Sequence, residues 1–339
     1  MMPAAPIDAS PQELCDWLEL SALTSDSGLA FIEDVNAELE IEQDFEASQG
    51  EDGELRERRR DDVVRQLIER RDVMQASYPF TISSDYSRIT LRPDRSDGGE
   101  AYLFCLVVSN FQQDCRLLPT PTPDIPTGRR LFQICATLAL AGLIQGSSYS
   151  IGWPRLDGST FLAKLHEIFS AFGDGAPRVT FEDWMPKAAK DDGIDVIAWK
   201  CSPDRTPAAY ALAQAASGAN WRDKSVKAQL DLFHDTWFTR KPATIPQPVM
   251  VMPHVFLGSD PEAGADGEVE TQARLAARVR KSYRVRVAHG VIIYRFLVAT
   301  YIDLSVGVRK SHHVEDDDIS KLSDFVSTYV AAVKTASAA

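Results

Sequence analysis

Between residues 129 and 255, helix-type and strand-type patterns of apolar residues follow one another in a definite order. This order constrains the fold of the chain more than any other feature. Apolar residues there recur at three- and four-residue spacing in some segments and alternate or run together in others, which are the patterns of helices and strands. In chain order they predict helix 158–172, strands 178–182, 194–199 and 208–215, helix 225–238 and strand 248–253. This order predicts an α/β (α+β) fold in which helices flank a mixed sheet.

The sequence on either side of this stretch divides the chain into three regions. Residues 1–120 are predicted to form a helical and β-meander region, with two helices over 11–47 that are separated at 25–28, a helix over 56–76 and strands over 78–82, 87–92 and 102–108. After a Pro-rich linker, the region 128–256 opens with a helix over 129–144 and a Gly-Ser turn. Residues 257–339 hold a basic segment, an apolar strand or helix over 290–301 and a closing helix over about 317–334.

Composition places the chain among ordinary globular proteins. Of its 339 residues 44% are hydrophobic and 25% charged, which is enough apolar material for a core. The longest apolar runs, 102–108 and 134–144, are shorter than the roughly 18 to 20 residues that a membrane span needs. No secretion signal is visible at the start of the sequence. We therefore expect a cytoplasmic protein with no membrane partner, whose five widely spaced cysteines stay reduced.

The net charge of −13 is concentrated in one segment. Residues 33–54 carry ten acidic side chains and no lysine or arginine, so the rest of the chain has a net charge of only −3. Residues 274–286 hold six positive charges and no acidic residue. They offer four candidate DNA-binding residues, Arg278, Arg280, Lys281 and Arg284. The other interpretation of this stripe is an ordinary amphipathic helix that pairs with the acidic segment.

The motif with the most chemical content is Asp-Asp-Gly-Ile-Asp at 191–195. Asp-Gly favours a turn, so Asp195 is expected at the start of the following strand, where its side chain can enter a cleft. In the next strand Gln214 interrupts an apolar run and shares a face with Leu212 and Ala216. Asp195 is therefore in a good position for a metal ligand.

These residues resemble the PD-(D/E)xK, or restriction endonuclease-like, nuclease superfamily, in particular bacterial defence-type members with a Gly-Ile-Asp strand followed by a strand bearing Gln-x-Lys. The resemblance covers roughly residues 129–255. It implies that Asp195 and Gln214 hold Mg²⁺ or Mn²⁺, and that a lysine stabilises charge on the attacking water or on the scissile phosphate. It also implies that Glu167, on the helix before the strands, contacts the metal.

The chain departs from that pattern at one position, because Ala216 stands where the lysine is expected. Lys224, Lys200 or Lys190 could supply the charge from a displaced position, and Lys224 is our candidate. If none does, the site is inactive. A metal ion held by a carboxylate, together with an ammonium group, would activate water and compensate the negative transition state of phosphodiester hydrolysis.

Each of these residues also has a purely structural interpretation. Asp195 could be a solvated turn residue, Gln214 an interior amide bonded to the backbone, and Lys224 a surface residue at the start of a helix.

The sequence therefore predicts a metal-dependent DNA endonuclease that hydrolyses phosphodiester bonds. The resemblance implies a role in bacterial antiphage defence, with other defence proteins as partners and self-association as a further expectation. The alternative is a catalytically inactive nuclease-fold module that binds DNA or a protein partner in a defence complex, which Ala216 favours. A third interpretation is a structural subunit that docks through its acidic N-terminal helices.

Overall fold

The computed structural model of the chain describes residues 2–37, 51–111, 115–152, 158–185, 192–256 and 282–338. The helices are α1 Pro11–Thr24, α2 Glu51–Met74, α3 Asp97–Ser109, α4 Ile125–Ile144, α5 Phe161–Phe172, α6 Val226–Trp237, α7 over residues 282–289, α8 Arg295–Val308 and α9 Ser320–Ala338. The strands are β1 Leu29–Phe31, β2 Phe80–Ile82, β3 Arg88–Leu91, β4 Ser147–Ser150, β5 Ala176–Pro177, β6 Val196–Cys201, β7 Pro207–Ala215, β8 Phe238–Arg240, β9 Gln247–Val251 and β10 Val291–Ile293. The expected mixed α/β fold class is confirmed.

A five-stranded mixed sheet organises the middle of the chain. Its strand order is β10-β9-β7-β6-β4, in which β4, β6 and β7 are antiparallel neighbours and β7, β9 and β10 run parallel. The connection from β7 to β9 passes through α6, as a parallel pair requires. The predicted strands β6, β7 and β9 and the predicted helix α6 are therefore confirmed within a few residues at each end.

Each face of this sheet packs against its own set of helices. Val196 and Ala198 of β6 belong to the larger core, which also contains α4 and α8. Ile197 and Trp199 belong to a second core with α5 and α6. Strand alternation therefore assigns every position on β6 and β7 to one of two faces, and this assignment orients the candidate site.

The first strand of the antiparallel meander lies elsewhere than predicted. Ser147–Ser150, expected as a Gly-Ser turn, is strand β4 and pairs with β6. Residues 178–182, expected as a strand, are not one; only Ala176–Pro177 is extended, and it pairs with β8 in a separate two-stranded sheet. Tyr149 stabilises β4 by stacking on Trp199, with ring centroids 5.2 Å apart. The observed order is thus α4, β4, α5, β6, β7, α6, β9.

Two N-terminal predictions are also wrong. The apolar run 102–108, expected as a strand, lies in helix α3, which begins where the Ser96 hydroxyl accepts from the Gly99 N–H. All seven of these residues are buried, so the run carries no amphipathic signal that separates a buried helix from a buried strand. Of the two helices expected over 11–47, the first is confirmed as α1, which ends at Thr24, but β1 and a 3-10 helix, Ile32–Asn36, lie where the second was expected to begin. Residues 38–47 of that prediction lie outside the described residues.

A buried ionic network joins the N-terminal helices to α8. Arg70 Nη2 donates to Asp16 Oδ1 at 2.7 Å, and both terminal nitrogens of Arg295 donate to the Asp16 carboxylate at 2.8 and 2.9 Å. Glu19 accepts from Arg70 Nη1 at 2.6 Å and from the hydroxyl of Tyr102 at 2.7 Å. Two carboxylates thus neutralise two guanidinium groups. Burial raises the pKa of Asp16, but the charges of Arg295 and Arg70 outweigh it and hold the pKa at about 2.

Residues 313–315 form a strap along the outer edge of β4. Ser148 donates its N–H to the His313 carbonyl at 3.0 Å and accepts from the Glu315 N–H at 2.9 Å, which is a parallel bridge to Val314. The buried Lys164 ammonium bonds Glu315 at 2.9 Å. The strap therefore supplies hydrogen-bond partners to backbone groups of the edge strand β4.

Helices α4 and α8 approach closely at Gly142. A Cβ atom at this position would overlap the Tyr301 carbonyl. We expect Gly142→Ala to push the helices apart and to lower the free energy of unfolding by about 3 kcal/mol in urea titrations. Gly307→Ala on α8 is the matched control, since no atom lies near its Cβ position, and we expect it to stabilise by about 0.5–1 kcal/mol. Equal effects of the two variants would contradict this account.

Candidate metal and nucleic-acid site

Asp195 and Gln214 lie at neighbouring strand ends of the sheet. The last ladder pair between β6 and β7 is Val196 with Ala213, and the Asp195 N–H donates to the same Ala213 carbonyl at 2.8 Å, so Asp195 lies just outside the regular register. Gln214 alternates with Leu212 along β7, which directs it to the side of α5 and α6. The structure thus brings Asp195 next to the backbone that flanks Gln214, at the carboxyl end of β7.

The backbone around Asp195 fixes the direction of its side chain. Asp195 Oδ2 accepts from the Ala215 N–H at 2.9 Å, and the Asp195 carbonyl accepts from the N–H groups of Ile151 and Gly152 at 2.7 and 3.0 Å. Asp195 is therefore an ordered group with several partners, which argues against a freely solvated turn residue. Its position is set by the strands on both sides.

The turn before Asp195 packs against α6. Gly193 has φ +77°, a conformation that favours glycine, and a Cβ atom there would meet the end of the Gln229 side chain of α6. Asp192 accepts from the indole N–H of Trp237 at 2.7 Å, as expected for a residue with a structural role in the turn. Helix α6 consequently covers the segment that presents Asp195.

The Gln214 amide is half-buried, and it makes no hydrogen bond with any residue that the structure describes. Interior amides normally have hydrogen-bond partners. The interpretation of Gln214 as an amide bonded to the backbone is therefore not supported within those ranges. Its oxygen is a suitable ligand for a cation.

Lys224 lies at the entrance of α6. A 3-10 helix, Ala219–Asp223, follows β7, and the Lys224 N–H donates to the carbonyl of the buried Trp221 at 3.2 Å. The Lys224 side chain is half-buried, and its ammonium forms no ion pair with the described part of the chain. The two other lysines are less suitable. Lys200 is exposed and lies five residues from Asp195, so the two backbone positions are about 16 Å apart along β6. Lys190 lies outside the described residues.

Glu167 belongs to a separate cluster beside β4. It is half-exposed on α5 and accepts from the Lys164 ammonium at 3.0 Å. That ammonium lies 5.2 Å from the ring centroid of Tyr149. Burial and the neighbouring Glu167 charge raise the pKa of Tyr149 to about 12. Glu167 is thus bound to Lys164 in the structure.

Of the four basic candidates, only Arg284 lies in a described range; Arg278, Arg280 and Lys281 fall outside. Arg284 and Arg286 are exposed on α7, whose last turn contacts the segment 224–227. The described part of the basic stripe therefore lies next to Lys224.

A polar cleft of about 210 Å³, which the sequence did not predict, lies beyond the carboxyl ends of β9 and β10. Its lining includes Asp16, Asn110, His254 and Arg295. Burial and the Arg295 charge lower the pKa of His254 to about 4, so its imidazole is neutral at pH 7. Because Asp16 and Arg295 neutralise each other there, the cleft offers no unpaired charge from this pair. The residues that line the cleft come from distant parts of the sequence, so no short sequence motif predicts it.

The donor atoms fit a sparse magnesium-type site. Within the described ranges no group of three or more His, Cys, Asp or Glu side chains could hold a metal ion. Asp195 and Gln214 supply two oxygen ligands of the kind that hard cations prefer, and Mg²⁺ commonly completes its shell with water and substrate phosphate.

No protein-family model, curated protein or solved structure matches this chain. None of the helices in the described ranges combines the length and apolarity that crossing a bilayer requires.

Proposed function

We propose that this protein is a metal-dependent DNA endonuclease that hydrolyses phosphodiester bonds. The observation that carries the proposal is the pair of hydrogen bonds that joins Asp195 to Ala213 and Ala215, the two chain neighbours of Gln214, at the carboxyl end of β7. Lys224 lies in the connection from β7 to α6. An acid, a neutral oxygen ligand and an unpaired ammonium are the groups that such a hydrolysis needs.

Each residue has a distinct part in the proposed reaction. Asp195 and Gln214 would hold Mg²⁺ or Mn²⁺, which when bound supplies an activated water and neutralises phosphate charge. The Ala215 N–H orients the Asp195 carboxylate. Because Gln214 is neutral, the site carries little negative charge of its own, and substrate phosphate strengthens binding of the cation. Lys224 stabilises the charge that develops on the phosphate oxygens.

DNA is the proposed substrate because exposed arginines lie next to Lys224. Arg284 and Arg286 can neutralise backbone phosphates, so binding should weaken steeply with salt. A role in antiphage defence, alone or with other defence proteins, is part of the proposal on the sequence resemblance only.

A catalytically silent DNA- or protein-binding module is the second candidate. Two observations favour it: Ala216, at the position of the expected lysine, is fully buried, and the described residues contain no group of three or more His, Cys, Asp or Glu side chains suited to a metal.

A plasmid-nicking assay decides between the two candidates. We expect the wild-type protein to nick supercoiled DNA with Mg²⁺ or Mn²⁺ and to stop when the metal is chelated. Asp195→Asn should lower the rate at least about a hundredfold. Asp204→Asn is the matched control, since Asp204 is an exposed carboxylate in the turn at the other end of the same hairpin. If wild-type protein cuts neither double- nor single-stranded DNA with either metal, the enzyme proposal is wrong.

A further inference from the structure

The last turn of α7 is bonded directly to the segment that carries Lys224. His289 Nδ1 lies 2.8 Å from the Lys224 carbonyl oxygen, and since a carbonyl only accepts, this nitrogen carries the proton. The Ser225 hydroxyl donates to the Ala288 carbonyl at 2.6 Å, and the Lys227 ammonium donates to the Val287 carbonyl at 2.8 Å. Three consecutive residues of α7 thus hold the segment 224–227.

His289 itself is held in place by packing. It is buried, and its ring lies 5.7 Å from the ring of Trp221, which is also buried. Because the Lys224 N–H donates to the Trp221 carbonyl, both backbone groups of Lys224 are bonded to this unit. The backbone of the lysine is therefore fixed, while its ammonium is unpaired among the described residues.

The end of α7 is also fixed to the sheet. Gly290 has φ +84°, and a Cβ atom there would overlap the carbonyl of Pro248 in β9. Its N–H donates to the Arg286 carbonyl at 2.9 Å. The exposed Arg284 and Arg286 are therefore within one or two turns of a rigid attachment point.

We propose that His289 is a positioning residue that couples phosphate contacts on α7 to the placement of Lys224. This inference rests on the proposed function. Because α7 and the backbone of Lys224 are both fixed, a DNA backbone bound by Arg284 and Arg286 is held at a set position relative to Lys224, and the His289 hydrogen bond maintains that position. The basic helix is then part of the catalytic machinery as well as of the binding surface.

Two substitutions separate the hydrogen bond from the packing. His289→Phe keeps a ring against Trp221 but removes the donor, whereas His289→Asn places an amide N–H near the position of Nδ1. We expect His289→Phe to lower kcat about tenfold with the Kd for DNA changed less than twofold, since one hydrogen bond is lost. His289→Asn should retain most of kcat. Unchanged kcat in His289→Phe, or equal losses in both variants with matched thermal stability, would overturn the inference.

A second readout does not require cleavage. In the Asp195→Asn background, acetylation of Lys224 is measured by mass spectrometry with and without a DNA duplex. We expect DNA to lower the reactivity of Lys224 severalfold, and the added His289→Phe substitution to abolish most of that protection. Protection that survives His289→Phe overturns the coupling even if the enzyme cuts DNA. Protection that His289→Phe removes, in a protein whose wild type never cuts, contradicts the proposed function alone.

Discussion

Asp16→Asn is expected to lower the free energy of unfolding by about 4 kcal/mol. The substitution preserves the shape of the side chain but removes a buried negative charge that accepts hydrogen bonds from Arg70 and Arg295. Both guanidinium groups are almost fully buried, so two positive charges would remain with Glu19 as their nearest compensation. A loss of this size is a large part of the 5–15 kcal/mol that typically separates folded from unfolded protein.

Urea unfolding followed by tryptophan fluorescence measures this effect. Glu54→Gln is the control, since it breaks the exposed ion pair with Arg58, and we expect it to change stability by less than about 0.5 kcal/mol. An Asp16→Asn effect as small as that of Glu54→Gln would contradict the assignment of a large stabilising role to this network.

Lys224→Gln is expected to lower kcat for DNA cleavage about 10²- to 10³-fold, because it removes a positive charge directed at the transition state. The loss should appear in kcat more than in KM, since the substrate phosphates are bound mainly by α7. Lys224 is preferred over the other described candidate because it lies in the connection from β7 to α6 and its ammonium is unpaired within the described ranges, whereas Lys200 is exposed at the far end of β6.

Lys200→Gln is the matched substitution. Lys200 is an exposed lysine at the far end of β6, so its removal should change kcat less than about twofold. If Lys200→Gln abolished cleavage and Lys224→Gln did not, the assignment of the charge-stabilising lysine would be wrong.

The central part of the fold could be predicted because its signals are local. Asp192 and Gly193 favour a turn, the apolar run after them favours a strand, and Ser225 caps α6 through a hydrogen bond to the Ala228 N–H at 3.2 Å. Those elements bring Asp195 to the end of β7 that carries Gln214. The sequence could thus predict that the two candidate ligands lie on neighbouring strands.

The errors arose where tertiary packing outweighed composition. Ser147–Ser150 has the residues of a turn, but pairing with β6 on one side and the strap on the other makes it a strand. The run 102–108 is rich in strand-forming residues, but complete burial stabilises it equally well as a helix. Neither the strand at 147–150 nor the helix at 102–108 can be predicted from the few residues of the segment alone.

The ionic network and the cleft could not be predicted because their members are distant in sequence. Asp16 and Arg295 are separated by 279 residues, and on its own helix Asp16 has the appearance of a solvent-facing acid. The unpaired amide of Gln214 was equally invisible, since the sequence gives the residue and not its hydrogen bonds.

The strap along β4 also limits how copies of this protein can associate. A neighbouring molecule cannot extend the five-stranded sheet at this side without first peeling Val314 away from Ser148 and separating Lys164 from Glu315. Pairing of β4 with a strand of another copy is therefore disfavoured along this border.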